Sequence, residues 1–262
     1  MEDIKKISDD FKAVVTLKTK YQEITQFTVD VLKSVLELYS NYFEDLKDKE
    51  LKIIFDRGMP NPMCLYDANI IFLTCDPQKG NQLVYQFAHE LCHFCIGDGR
   101  PDKPFLWLEE SICEMASYYF LFKIGSIWKE NIYYHRYYES NTNKPYYTCF
   151  HAYANNDMKK AIPFDIAKLT DSNNLKFKEL SESGTNRNLN AYIAVTMLPV
   201  FQKYPSLWKY VTYLNKTKNN NLELFLIEWY FSIPKYLQTG MRELLKLFGI
   251  NRQQLRHHPA LR

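Results

Sequence analysis

Gln86-Phe87-Ala88-His89-Glu90-Leu91-Cys92-His93-Phe94 is the stretch on which the rest of the chain can be organised. It contains His-Glu-x-x-His. Residues four apart on an α-helix lie one turn apart on the same face, so His89 and His93 aim their imidazoles at one point. Zn²⁺ accepts nitrogen ligands at about 2.0–2.1 Å in a tetrahedron, and two helical histidines can span that angle. Glu90 lies on the flank of the same face, within reach of a metal-bound water and outside the coordination positions. Leu83, Val84, Tyr85, Phe87, Ala88 and Leu91 make the surrounding segment apolar enough for a buried helix, and Gly97 and Gly99 supply a stop beyond it. The bland alternative is a helix that happens to carry two surface histidines.

Upstream, Ile24, Phe27, Val31, Val35, Leu38 and Tyr42 recur at three and four, which predicts a long amphipathic helix over residues 20–43. The period then changes. Residues 51–55 (LKIIF) read as a strand, residues 63–66 as a second and residues 69–74 (NIIFLT) as a third, separated by Asp56-Arg57-Gly58, Pro60, Pro62 and Asp67-Ala68-Asn69. The motif helix follows from near Asn81. Pro104 suits the first turn of a further helix to about Lys123. Residues 126–156 are rich in tyrosine, and packing of helix on helix is their simpler reading, a cleft lining the sharper one. A short helix is expected from Pro163-Phe164-Asp165, and further helices over residues 189–203, 206–214, 222–231 and 234–248, with a polar loop over 181–187. The expected class is α+β and mostly α. A small antiparallel sheet sits beside the motif helix, residues 1–96 form an upper part, residues 97–262 a helical lower part, and the whole is one catalytic unit.

With 262 residues, 46% apolar and 16% aromatic, the chain can bury a substantial core. A net charge of +3 and the lack of a basic stripe interleaved with aromatics speak against nucleic acid as a partner. The start Met1-Glu2-Asp3-Ile4-Lys5-Lys6 lacks the apolar core of a signal peptide, and the longest apolar run, residues 191–201, is too short to span a bilayer. The expectation is a soluble, cytoplasmic protein without a membrane partner, in which Cys64, Cys75, Cys92, Cys95, Cys113 and Cys149 are reduced and mostly apolar filler. His257-His258 reads as a solvated terminus.

A catalytic zinc takes three protein ligands and keeps one open position. The third ligand must come from another segment, and Glu109, Glu110, Glu114, Asp98, Asp102 and the cysteines are the candidates. The carboxylates among Phe105, Leu106, Trp107, Leu108, Ile112, Cys113, Met115 and Ala116 are the informative ones, because a buried carboxylate is costly unless paired or bound to metal. Glu110 and Glu114 are four apart and share a face. One can ligate while the other accepts an N–H from a ligand histidine.

His-Glu-x-x-His followed by Trp107-Leu108-Glu109-Glu110 and Glu114 resembles the gluzincin clan of zinc metallopeptidases, which includes thermolysin-like enzymes and a family of zinc aminopeptidases. The resemblance covers roughly residues 69–120. It implies a peptidase with Zn²⁺ held by His89, His93 and Glu110, with Glu114 supporting a histidine. It further implies Glu90 as general base and a Tyr or His from the C-terminal half steadying the oxyanion. Tyr138, Tyr147, His135, His151 and Tyr192 are candidates for that last role, and Tyr192 is preferred because it opens a helix after a polar loop. In the clan the strand before the active helix is a sheet edge that pairs with an extended substrate, which here implies residues 69–74. Two departures stand out. Only 16 residues separate His93 from Glu110, fewer than the clan commonly shows, and with 20 between them Glu114 is the alternative ligand. Gly58-Met59-Pro60-Asn61 is a faint echo of the aminopeptidases' substrate-amine motif without its glutamate, so aminopeptidase specificity is not implied. The partner is then a peptide or protein substrate. The competing readings are a binding or regulatory module with a structural zinc, and a zinc hydrolase of non-peptide amides.

Overall fold

The computed structural model describes residues 4–18, 23–97, 105–216 and 219–256. In chain order the elements are β1 (Lys5–Lys6), β2 (Ala13–Leu17), α1 (Gln26–Ser40), β3 (Leu51–Phe55), β4 (Met63–Leu65), β5 (Ile70–Leu73), α2 (Gly80–Ile96) and α3 (Leu106–Glu130). There follow β6 (Tyr138–Glu139), β7 (Lys144–Pro145), α4 (Tyr146–Met158), α5 (Leu175–Ser183), α6 (Arg187–Lys203), α7 (Leu222–Ser232), α8 (Gln238–Leu247) and α9 (Arg252–Arg256), with 3-10 turns between several of them. The chain forms two compact units, Met1–Gly99 with Ala116–Lys159, and Arg100–Met115 with Lys160–Arg262. The first therefore holds residues 116–159 besides those the sequence assigns to an upper part. α3 begins in the second unit and ends in the first.

The α+β, mostly α class holds, but the sheet is not antiparallel. Its five strands lie in the order β1-β2-β3-β5-β4. β2, β3 and β5 are parallel to one another, and only the edge strands β1 and β4 run the other way. The missing piece was Ala13-Val14-Val15-Thr16-Leu17, a β-branched run that forms β2. Parallel neighbours need a crossover, and α1 supplies it between β2 and β3. β5 is consequently interior, hydrogen-bonded to β3 on one side and to β4 on the other. The expectation that residues 69–74 are an edge open to substrate is overturned, and the edge on that side is β4.

α1 starts later than its periodicity suggests, because Thr25 caps it by accepting from the Thr28 N–H. In the first unit Tyr39 stacks on Phe120 at 4.1 Å and donates its hydroxyl hydrogen to the Ala88 carbonyl at 2.5 Å, tying α1 and α3 to α2. The buried Trp128 indole donates to Ser34 at 3.0 Å. The second unit is centred on Phe105, packed at 5.0 Å against Phe225, and on Trp208 against Phe201 at 4.8 Å. α3 runs seven residues past the expected end at Lys123, because Ile124 and Trp128 continue its buried face. α5 and α9 stand where no helix was expected. The helix expected over 234–248 is a 3-10 turn followed by α8, and that over 206–214 is 3-10 throughout. Among the described residues no helix is long and apolar enough to cross a membrane. The readings placed on residues 20–22, Asp98, Gly99, Asp102, Pro104 and His257-His258 lie outside the described residues.

Candidate metal centre

α2 is held at both ends. Gly80 opens it where a Cβ would sit 2.6 Å from the Phe27 ring and 2.9 Å from Tyr146, so only glycine allows that approach. Gly97 ends it at φ +76°, and its N–H bonds the His93 carbonyl at 2.9 Å. In between, the Gln86 side-chain oxygen accepts from the Thr74 and Cys75 amides, each at 3.0 Å, and fixes the chain leaving β5 against the helix. Leu83, Val84, Phe87, Ala88, Leu91 and Phe94 are wholly buried. That apolar side sets the rotation of α2 and turns Tyr85, His89 and His93 to a half-buried face.

On that face the two Nε2 atoms are 3.3 Å apart, with the rings inclined at 61°. Two nitrogens bound to one tetrahedral zinc at about 2.05 Å would stand about 3.3 Å from each other, so the pair fits a shared ion without moving. One carboxylate oxygen of Glu110 completes a group in which the three ligand atoms all lie within 4.8 Å of one another. Glu110 is brought there by register. Ser117 donates to the Tyr85 carbonyl at 2.9 Å, and the unbroken α3 carries Glu110 seven residues back, about 10 Å at 1.5 Å per residue. Two imidazoles and one carboxylate are a donor set that could hold a metal ion.

The other candidates fall elsewhere. Glu114 is half-buried one turn after Glu110, and Glu109, 5% exposed, lies about 100° round the helix from it. Neither belongs to the three-residue group, nor do the described cysteines. None of the six cysteines is in a disulfide. Burial pushes the Cys95 thiol well up and the Cys75 thiol up to about 12, so both stay protonated, as filler does. Glu90 follows His89 on α2 and is 5% exposed.

Of the proposed oxyanion donors, His151 sits against Gly125 and bonds the Phe122 carbonyl at 3.0 Å. His135 bonds the Lys129 carbonyl at 2.8 Å and packs on Tyr147 at 5.3 Å. Gly125 is fifteen residues beyond Glu110 on α3, about 22 Å along its axis, so these three residues do not serve the His89 face. Tyr138 is 52% exposed on β6. Tyr192 is half-buried on α6, its ring 5.3 Å from Phe164.

Sequence reasoning passed over a group beside the histidines. Tyr85, one turn before His89, meets Tyr153 of α4 edge-to-face at 5.8 Å and Tyr118 of α3 at 6.3 Å. The Tyr118 hydroxyl donates to Asp157 at 3.1 Å. The spacing of Tyr85 to His89 was a usable signal, whereas Tyr153 and Asp157 arrive from a helix whose docking no local pattern reveals. No protein-family model matches this sequence, and neither a curated protein nor a solved structure matches it.

Proposed function

We propose that this chain is a zinc-dependent metallopeptidase of the gluzincin type, acting on peptide or protein substrates. The observation that carries the reading is the convergence of His89, His93 and Glu110, with the two imidazole nitrogens at the separation a tetrahedral zinc requires. A zinc held there supplies a Lewis acid that brings the pKa of a water toward neutrality and polarises a carbonyl. Glu90, fixed on the flank of the same helix, takes the proton of the attacking water and passes it to the nitrogen released when the C–N bond breaks. Glu114 is the support for a ligand histidine in this reading, and Tyr192 the donor to the carbonyl oxygen as charge collects on it. Six cysteines without a disulfide suit a reducing compartment, and the reading puts the protein in the cytoplasm.

The test is metal content and peptide hydrolysis measured on the same preparation. The expected result is about one zinc per chain, hydrolysis lost on chelation and regained with zinc, and Glu90→Gln protein that keeps its zinc but not its activity. Zinc-loaded protein that cleaves no member of a broad peptide set, while hydrolysing acylated small amines, would move the activity to non-peptide amides. Folded protein that takes up no zinc would overturn the reading.

A further inference from the structure

A cavity of about 330 Å³ opens on the unit that carries the histidine pair, and it is separate from the metal centre. Ile124 in its wall is fourteen residues beyond Glu110 on α3, about 21 Å along the axis. The volume falls in the range of roughly 300–1,000 Å³ usual for small-molecule sites. α1 supplies one side through Ser34, Glu37, Leu38 and Asn41, which are spaced to share a face. The floor is preorganised. The buried Ser34 hydroxyl donates to the Asp30 carbonyl at 2.8 Å and accepts from the Trp128 indole at 3.0 Å. Tyr134 lies flat on Trp128, with ring centroids 4.4 Å apart and 2° between the planes.

The rest of the lining sorts by chemistry. Leu38, Ile124 and Ile127 make an apolar wall, and Ile127 is 40% exposed, so an apolar group seated there removes its surface from water. Asn41 caps the end of α1, and Lys47 ends the 3-10 turn Glu44–Lys47 that follows. Among the described residues the Lys47 ammonium makes no ion pair, its ring contact being Phe11 at 6.0 Å, and the Asn41 side-chain amide makes no hydrogen bond. Together they present N–H donors suited to a carboxylate. Glu37, one turn before Asn41, brings the opposite charge. Its contact with Lys33 is exposed and, at 3.6 Å, too long for a hydrogen bond. The stripe from Ser34 to Asn41 covers about 10 Å of α1, room for two residues of extended chain at about 3.3 Å each. We infer that this cavity binds a small zwitterion with an apolar side chain, a free α-amino acid or a dipeptide. Its carboxylate meets Lys47 and Asn41, its ammonium meets Glu37, and its side chain lies on Leu38, Ile124 and Ile127. The site stands independently of the metal centre and of what that centre cuts.

The test is calorimetric titration of the full-length protein with leucine, with leucyl-leucine, and with the N-acetyl and C-amide forms of each. The free forms are expected to bind, and capping either end should weaken binding at least about tenfold. Comparing leucine with leucyl-leucine tells whether one residue or two fills the cavity. Lys47→Gln should weaken the free form about tenfold and leave the C-amide form unaffected. Glu37→Gln should weaken the free form to a similar degree and leave the N-acetyl form unaffected. Both residues are exposed, and circular dichroism checks that the variants fold like the unaltered protein. Lys129→Gln, an exposed cation outside the cavity lining, should bind as the unaltered protein does. Capped forms that bind as tightly as the free ones overturn the site, as does binding that survives unchanged in both the Lys47 and the Glu37 variants. Equal weakening in Lys129→Gln, which would mark a general effect of surface charge, overturns it too. No binding of either free form at millimolar concentration overturns it outright.

Discussion

His89 and His93 on α2, and His135 and His151 near the far end of α3, are four half-buried imidazoles of one structural unit with different neighbours. His135 and His151 each point Nε2 at a backbone carbonyl, at 2.8 and 3.0 Å. A carbonyl only accepts, so those nitrogens carry their protons and are committed to holding local structure. His89 and His93 instead turn Nε2 toward each other at 3.3 Å, with the Glu110 carboxylate close by. Both regions are rich in aromatic rings, although His135 lies on a 3-10 turn after α3 and His151 on α4. What separates them is the direction of one ring nitrogen, toward the backbone in one case and toward a common point in the other.

The largest expected effect that can break this comparison is on turnover. Glu90→Gln should lower kcat about a thousandfold while zinc content, measured by elemental analysis, stays near one per chain. Loss of zinc in that variant would mean Glu90 maintains the fold or the ligand geometry instead. Next is metal affinity. His93→Ala should weaken zinc binding by at least about a hundredfold in a chelator competition, and His151→Ala should leave it unchanged. Equal losses would erase the distinction between the two pairs. A smaller effect is expected on stability, where His151→Ala removes one hydrogen bond and the ring over Gly125. About 1–2 kcal/mol, or a few degrees of Tm, is expected from calorimetry.

The smallest effect appears only at high pH. Tyr146 donates its hydroxyl hydrogen to the Gln78 carbonyl at 2.8 Å beside the start of α2, and burial chiefly pushes its pKa up to about 12. Its folded pKa lies above the unfolded value near 10, so the unfolded chain loses this proton first. The contribution is complete below pH 10 and is lost as pH rises toward 12. Tyr146→Phe should flatten that part of the profile in urea unfolding. An unchanged slope would assign the alkaline loss to other tyrosines.

The strongly periodic and strongly patterned pieces could be read in advance: α2 to within a residue, β3 to the residue, and α6 and α7 closely. β2 and the parallel order it brings to the sheet do not follow from local pattern, because strand direction depends on what joins the strands. α5 was missed because its Leu175-Lys176-Phe177-Lys178-Glu179-Leu180 core is short and polar, and Asn174, which caps it through two amide bonds, is the better signal. At the site, His89, Glu90 and His93 share a helix and could be placed from spacing alone. Spacing left both Glu110 and Glu114 open, since they share one face of α3; the resemblance favoured Glu110, and Glu110 is the one that groups with the histidines.

The sequence by itself therefore determined that two histidines share one face of a helix, since an i,i+4 pair on an apolar helix follows from local geometry. It also carried the carboxylates able to complete the set, because charged residues in an apolar run demand partners. Tertiary structure decided between Glu110 and Glu114 by grouping Glu110 with the histidines, and it alone brought Tyr85 against Tyr153. It alone decided that β5 is covered by β4, and that His135 and His151 spend their protons on carbonyls. Each of these depends on contacts between segments far apart in the chain, where small offsets of one helix along another exchange one side chain for the next.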